Sequence, residues 1–185
     1  MRRIAAALVH YPVHDRARAV VTSAITNLDL HDISRSAHTY GLSDLFIVHP
    51  VAAQRLLAER VREHWISGSG ARRIPDRTPA IGLLRIVPTI EDALAALGPQ
   101  AQLWVTSAKG SGDLLDFPEA RAELERPGPP ILIVFGTGWG LGDAITGQAH
   151  ARLAYIAGRN PDGYNHLSVR AAAAIIFDRL LSPRR

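Results

Sequence analysis

Runs of consecutive apolar residues alternate along this chain with stretches in which apolar positions recur at helical spacing. The runs contain no alternating polar residues, so they are typical of strands buried on both faces. The predicted strands are 4–10, 45–48, 83–87, 103–106, 131–135 and 153–158. Strands that alternate with helices predict an α/β fold, a mostly parallel sheet covered by helices on both faces.

The predicted helices lie between these strands, at 30–40, 51–65, 89–97, 113–124 and 167–181. The first has apolar residues three and four apart and ends at Gly41, a common C-terminal stop. In the second, Leu57, Val61 and Trp65 form an apolar stripe at four-residue spacing. Thr89 is predicted to cap the third. Residues 67–77 are rich in glycine and arginine, and we expect a flexible basic loop there.

The strand at 131–135 runs directly into four glycines spaced by two, Gly136, Gly138, Gly140 and Gly142. Such a backbone can turn sharply and lie close to a ligand. A phosphate-binding P-loop would need a lysine after its last glycine, and Asp143 stands there instead. The dinucleotide fingerprint would need a glycine where the chain has Leu141. We therefore expect a ligand whose binding does not depend on a phosphate cradle.

Composition narrows the possible functions. With 185 residues, 47% of them hydrophobic, the chain is expected to form one domain over 1–185. The absence of cysteine excludes disulfides, thiol catalysis and cysteine-based metal sites, and the scattered histidines predict no metal site. No apolar run is long enough to cross a membrane and the N-terminal residues lack a signal-peptide pattern, so we expect a cytoplasmic protein.

The chain is basic, with a formal net charge of +4, and Lys109 is its only lysine beside 20 arginines. A genome rich in G and C explains the arginine bias by itself, because its codons favour arginine and alanine. A polyanionic partner is the other interpretation. The positions of the arginines therefore carry more information than their number.

Three segments, taken in order, resemble the motifs of the SPOUT (trefoil-knot) RNA methyltransferases, most closely a small group of predicted RNA methyltransferases. They are 27–41, 132–141, and 164–175, a polar loop that enters an alanine-rich helix. The resemblance implies a C-terminal trefoil knot, S-adenosylmethionine as cofactor, and methylation of a base or ribose in tRNA or rRNA. It also implies a homodimer with the first and last helices at its interface.

The resemblance also implies site residues. The cofactor would be held by residues of the loops and of the last helix: Thr106, Ser107, Phe135, Gly136, Thr137, Gly138, Gly140, Leu141, Tyr155, Ile156, Gly158, Leu167 and Ser168. The catalytic set would be Arg35, Asp32 and Ser168. RNA would be contacted by Arg35 and Arg170. Apart from the resemblance, the arginines of the second helix and the basic loop, among them Arg72 and Arg73, could form an RNA-facing strip or an ordinary solvated face.

This chain departs from the ribose-methylating relatives at the substrate positions. They have asparagines where it has Asp29 and Asp32, and a glutamate where it has Gly138 or Trp139. The methylated atom therefore cannot be carried over. The carboxylates could accept a proton from a base nitrogen, or pair with Arg35. A non-catalytic module that binds S-adenosylmethionine or RNA and acts with a partner is the alternative function.

Two further side chains near these motifs have open or simple interpretations. Trp139 would pack in the core or stack on a flat ligand. Asn165 is predicted to cap the last helix.

Overall fold

The computed structural model describes residues 2–110 and 112–183. Its main sheet has six parallel strands in the order β5-β4-β1-β7-β6-β8. The strands of this sheet are β1 (Ile4–Val9), β4 (Leu45–Val48), β5 (Leu84–Val87), β6 (Gln102–Val105), β7 (Ile131–Gly136) and β8 (Ala151–Arg152). A short antiparallel hairpin, β2 (Val13–His14) and β3 (Val20–Val21), follows β1. The prediction of a parallel α/β sheet is confirmed.

Helices cover both faces of the sheet. The helices are α1 (Asn27–Thr39), α2 (Ala52–Ile66), α3 (Ser69–Arg73), α4 (Thr78–Gly82), α5 (Ile90–Leu97), α6 (Phe117–Glu125), α7 (Asp143–Thr146) and α8 (Val169–Leu181). One core places Ala6 and Leu8 of β1 against α1, α2, α4, α6 and α8. The other places Ala5, Ala7 and Val9 against α5 and α7. This alternation follows from the two-residue period of a strand.

The strand that feeds the glycine loop lies inside the sheet, between β1 and β6. Its residues from Ile131 to Phe135 are all buried. Interior parallel strands contact helices on both faces, which explains why this sequence is uniformly apolar. The carboxyl end of β7 therefore opens onto the rim where parallel α/β sheets bind their ligands.

Several predicted elements differ from the structure. The loop at 67–77 contains α3 and a 3-10 turn over Pro75–Arg77, and α4 follows it. The helix at 113–124 begins only at Phe117, where Asp116 is its N-cap. In α2 the predicted apolar stripe is partly wrong, because Leu57 is 46% exposed and Ala58 is buried instead.

The last predicted strand, 153–158, is also wrong in extent, because β8 ends at Arg152 and a single bridge joins Leu153 to Leu115. The Leu153 N–H donates to the Val105 carbonyl at 2.9 Å, and the Ala154 N–H donates to the Leu115 carbonyl at 2.8 Å. The chain at 152–154 therefore lies between Val105 and Leu115. This arrangement is consistent with the implied knot, which stays a prediction.

Among the described residues, no helix combines the length and the apolar character needed to cross a membrane.

Candidate functional site

The glycine loop after β7 is fastened by backbone hydrogen bonds to the segment after β1. The Trp139 N–H donates to the carbonyl of His14, and the His14 N–H donates to the carbonyl of Gly140, both at 2.9 Å. The Gly142 N–H donates to the carbonyl of Pro12 at 2.9 Å. The loop is therefore held in one shape by main-chain contacts.

Gly136 and Gly138 show why this shape requires glycine. A Cβ at Gly136 would lie 2.7 Å from the backbone nitrogen of Leu141, closer than side-chain carbons approach backbone atoms. Gly138 has a φ of +60°, and a Cβ there would lie 2.9 Å from the carbonyl oxygen of His14. The glycine pattern seen in the sequence thus reflects both close approach and backbone conformation.

A buried polar network supports the loop from below. Thr137 Oγ1 donates to the carbonyl of Val9 at 3.2 Å and also contacts the hydroxyl of Ser23. His10 Nδ1 lies 2.9 Å from that hydroxyl, and His49 Nε2 lies 3.0 Å from the Ser23 carbonyl oxygen. Burial, with a smaller effect of His49, lowers the pKa of His10 to about 4. His10 is therefore neutral at physiological pH and acts as a fixed support.

A cavity of about 330 Å³ lies between the loop after β6 and the loop before α8. Its lining residues are Ala108, Lys109, Gly110, Tyr155, Gly163, Asn165 and His166. A Cβ at Gly110 would lie 2.8 Å from the ring of Tyr155, so this glycine permits the ring to pack against the loop. Cavities of this size accommodate small organic ligands.

The side-chain amide of Asn165 shapes this cavity. Its Nδ2 donates to the carbonyl of Ile156 at 2.8 Å, and its Oδ1 accepts from the N–H of Gly158 at 3.0 Å. Asn165 thus clamps the loop that follows β8. The prediction that it caps the last helix is wrong, because Ser168 occupies the N-cap and its hydroxyl accepts from the N–H of Ala171.

The predicted cofactor residues occupy different environments. The ring of Phe135 is buried against that of Phe177, 5.6 Å between centroids, so only its backbone can face a ligand. Leu141 is also buried. Thr106 Oγ1 donates to the carbonyl of Val134 at 2.9 Å. Among the residues that the structure describes, Tyr155 is the only member of the predicted cofactor set that lines the 330 Å³ cavity.

A larger cavity, about 430 Å³, lies at the other end of the glycine loop, between His14, Glu91 and Asp143. None of the predicted cofactor residues lines it in the described part of the chain. The smaller cavity is the better candidate for the cofactor, because it is lined by Tyr155 of the predicted cofactor set and by Asn165 and His166 of the third motif.

The acidic residues of α1 pair with the start of α8. Arg170 Nη1 lies 2.7 Å from the carboxylate of Asp29, which is buried, and Arg170 Nε lies 3.5 Å from that of Asp32. The alternative pairing of Asp32 with Arg35 is absent from the described ion pairs. Arg35 is exposed on α1. The structure therefore joins Asp32, Arg170 and the neighbouring Ser168 at one corner, with Arg35 one turn further along α1.

A basic surface formed by Arg77 and His31 adjoins Arg35. The guanidinium of Arg77 lies 4.7 Å above the ring of Trp65, and the ring of His31 packs edge-on against the same indole at 5.1 Å. Burial and the charge of Arg77, with a smaller effect of Arg35, lower the pKa of His31. The predicted RNA contacts Arg72 and Arg73 are exposed on α3, which leads into this surface.

The described residues contain no group of three histidine or carboxylate side chains suited to a metal ion.

A parallel six-stranded sheet, with a rigid glycine loop and a cavity at its carboxyl rim, defines an α/β ligand-binding protein. The chain belongs to the SAM-dependent RNA methyltransferase family, whose family model matches residues 3–182. A relative from Nitratidesulfovibrio vulgaris, named tRNA (guanine-N(1)-)-methyltransferase, is 44% identical over 184 residues. The match covers 97% of this chain and 42% of that relative. The chain thus spans less than half the length of this relative.

Solved structures share the fold. A probable methyltransferase from Bordetella pertussis superimposes with a TM-score of 0.65 at 18% identity, covering 97% of this chain and 94% of the other. The SpoU methyltransferase AviRb from Streptomyces viridochromogenes, solved with AdoMet, gives a TM-score of 0.55 at 16% identity, with 97% and 57% covered. The resemblance to the SPOUT methyltransferases is confirmed, and S-adenosylmethionine is the cofactor of the family.

Proposed function

We propose that this protein transfers a methyl group from S-adenosylmethionine to RNA, and that tRNA is the acceptor class. Family membership supports the reaction. The name of the relative from Nitratidesulfovibrio vulgaris supports tRNA, although this chain matches only 42% of that protein. Because tRNA would be the acceptor, the protein would work in the cytoplasm.

The observation that carries the proposal is the cradle at the carboxyl rim of the sheet. The loops after β6, β7 and β8 all reach this rim. Gly110, Gly136 and Gly138 lack the Cβ atoms that would collide with neighbouring atoms of the protein, so these loops pack closely. The adjoining cavity, about 330 Å³, is large enough for a nucleoside ligand. An adenosine group fits such a site, because neutral backbone N–H and C=O groups match its hydrogen-bonding edge.

The residues expected to hold the cofactor belong to the segments named above. The loop backbones at 106–107, 136–141 and 155–158 would bind it, with Leu167 and Ser168 completing the site. When bound, the cofactor supplies a methyl group activated on a sulfonium sulfur. The remaining task of the protein is to position the acceptor atom and exclude water.

On the acceptor side, the exposed guanidinium of Arg35 would bind the RNA backbone near the reacting nucleotide. Asp32 has a half-exposed carboxylate, 3.5 Å from Arg170 Nε. A base nitrogen that must lose a proton would give it to Asp32, and Arg170 would hold that carboxylate in place. Asp29, buried and paired at 2.7 Å, is suited to positioning Arg170.

A homodimer would bury an apolar surface next to this corner. Leu28 is 61% exposed and Leu167 is 47% exposed, and each lies close in sequence to one partner of the Asp29–Arg170 ion pair. Helices α1 and α8, which carry this ion pair, would then supply the interface. The measurement that checks the dimer is the molar mass in solution by light scattering.

The experiment that tests the proposed function measures cofactor binding and methyl transfer separately. We expect S-adenosylhomocysteine to bind in calorimetry, and labelled methyl groups to pass from S-adenosylmethionine to total tRNA. Arg35→Ala should abolish transfer and leave the affinity for S-adenosylhomocysteine unchanged. Arg126→Ala is the matched control, because Arg126 is exposed just before β7, at the amino-terminal end of that strand and away from its carboxyl rim. Binding without transfer to any RNA would favour the non-catalytic alternative.

A further inference from the structure

Three aromatic side chains form a contiguous exposed strip beside the candidate cofactor cavity. The ring of His166 lies 6.3 Å from that of Trp139 and 5.4 Å from that of Tyr164, in tilted edge contacts. Trp139 is 54% exposed and Tyr164 is 64% exposed, so most of these rings faces solvent. Trp139, Tyr164 and His166 are called the aromatic strip below. Its rings do not pack in either hydrophobic core.

The backbone under the aromatic strip is held from both ends. Trp139 belongs to the glycine loop, and its N–H donates to the carbonyl of His14 at 2.9 Å. Asn165 stands between the other two residues, and its amide bonds the backbone of Ile156 and Gly158. The rings are therefore presented outward from an anchored backbone. Exposed aromatic rings on an anchored backbone are typical of a binding surface.

The aromatic strip begins at the mouth of the cavity, because His166 also lines it. Lys109, the only lysine of the chain, lines the same cavity. Flat rings next to a cation match the chemistry of a nucleotide, which has a flat base and an anionic phosphate. Aromatic stacking is also the usual way in which proteins bind unpaired bases of RNA.

We propose that the aromatic strip stacks on an unpaired nucleobase of the RNA substrate and so selects a single-stranded or flipped acceptor region. This inference rests on the proposed function, because it names how that substrate is recognised. A base inside a duplex has both faces covered by its neighbours and cannot reach the strip. The protein should therefore prefer loops and single strands over helical RNA.

The test compares removal of a ring with its conservative replacement, in the presence of S-adenosylhomocysteine. The probes are total tRNA, a short single-stranded RNA, and the same RNA annealed to its complement. Trp139→Ala and Tyr164→Ala should each weaken binding to the single strand by roughly 5- to 150-fold, because one stacked ring is lost. Trp139→Phe and Tyr164→Phe should keep most of the affinity. The annealed duplex should bind weakly to every variant.

Two further readouts identify stacking. The dependence of RNA affinity on salt concentration should be the same in Trp139→Ala as in the unchanged protein, because stacking involves no phosphate. Arg72→Ala should make this dependence weaker if Arg72 contacts a phosphate. RNA should also quench the fluorescence of Trp139, and this quenching should vanish in Trp139→Phe. Equal affinity of Trp139→Ala and the unchanged protein for the single strand would overturn the proposal.

Other results would also overturn it and would assign the rings elsewhere. Loss of S-adenosylhomocysteine binding in Trp139→Ala would make the ring part of the cofactor site. A change from dimer to monomer would make the strip a subunit interface. The proposed function fails on a different observation, the absence of methyl transfer by the unchanged protein. Single-strand binding through the strip could still be measured in that case.

Discussion

Arg170 links the two halves of the candidate site, since it binds carboxylates of α1 from the first turn of α8. Its partner Asp29 is buried, and the carboxylate also accepts a hydrogen bond from the Thr26 hydroxyl at 2.6 Å. The sequence predicted Arg170 as an RNA contact. Since the guanidinium of Arg170 pairs with carboxylates of the protein itself, we expect Arg170 mainly to hold α8 and Asp32 in position.

Arg170→Ala should lower the free energy of unfolding by about 1–3 kcal/mol, because a buried carboxylate loses its ionic partner. Urea denaturation measures the change. Arg62→Ala is the control, since Arg62 and Glu59 form a partly exposed pair at 3.9 Å that should contribute no more than about 0.5 kcal/mol. Adding Asp29→Asn to Arg170→Ala should recover part of the loss. Equal effects of the two arginine substitutions would contradict the structural role of Arg170.

His10 gives the protein a pH-dependent stability. Its pKa is lowered to about 4 by burial, whereas the unfolded chain has the ordinary value of 6.5. Between these values the unfolded state binds a proton that the native state does not, so the free energy of unfolding falls as the pH drops. The loss should reach roughly 3 kcal/mol by pH 4. His49, whose pKa is also lowered by burial, adds to it in the same direction.

Denaturation curves collected between pH 7 and pH 4 check this expectation. His10→Asn keeps a polar group near Ser23 but removes the titration, so its stability should depend less on pH in this range. His38→Asn, at an exposed position of α1, is the matched control and should follow the unchanged protein. A His10→Asn curve parallel to that of the unchanged protein would exclude His10 as the cause.

At the scale of elements, the glycine loop is the segment whose shape the rest of the site depends on. Gly136→Ala would place a Cβ 2.7 Å from the Leu141 nitrogen, so the loop must shift away from His14 and Pro12. We expect a loss of about 1–3 kcal/mol of stability and a loss of S-adenosylhomocysteine binding in calorimetry.

Gly82→Ala is the control for this change, because a Cβ there meets nothing within 4 Å and the backbone needs no positive φ. It should leave both stability and binding nearly unchanged. If Gly136→Ala bound S-adenosylhomocysteine as the unchanged protein does, the glycine loop would not belong to the cofactor site.

Helices and strands whose sequence signal lies within a few neighbouring residues could be predicted. The uniformly apolar run of β7 and the capping box of Thr89 and Asp92 both depend on neighbours within a few residues. The extent of β8 could not be predicted in this way. Its apolar continuation at 153–158 resembles a strand, but it loses its sheet partner once the chain passes Leu115.

The same holds for the candidate site, where features set by neighbouring residues could be predicted and contacts between distant residues could not. The spacing of Gly136 and Gly138 identified the loop, because close approach and positive φ leave a mark in the sequence. The Asn165 clamp and the pairing of Asp29 with Arg170 join residues 7 to 141 positions apart. No local spacing encodes such pairs, so only the structure could assign them.

At the scale of the whole molecule, the proposed dimer makes a separate prediction. Leu28→Arg would place a charge in the apolar surface beside α8, so the protein should become monomeric in light scattering at the same concentration. Leu56→Arg is the control, because Leu56 is exposed to a similar degree on α2. A dimer that survives Leu28→Arg unchanged would place the interface elsewhere.

Nucleoside mass spectrometry is the most direct test of the proposal that this protein methylates RNA in the cell. Transfer RNA and ribosomal RNA would be digested and compared between cells with and without the gene. We predict that one methylated nucleoside is lost from tRNA in the deletion, and that it returns with the unchanged protein but not with Arg35→Ala. Identical nucleoside profiles in both RNA pools, with and without the protein, would contradict it.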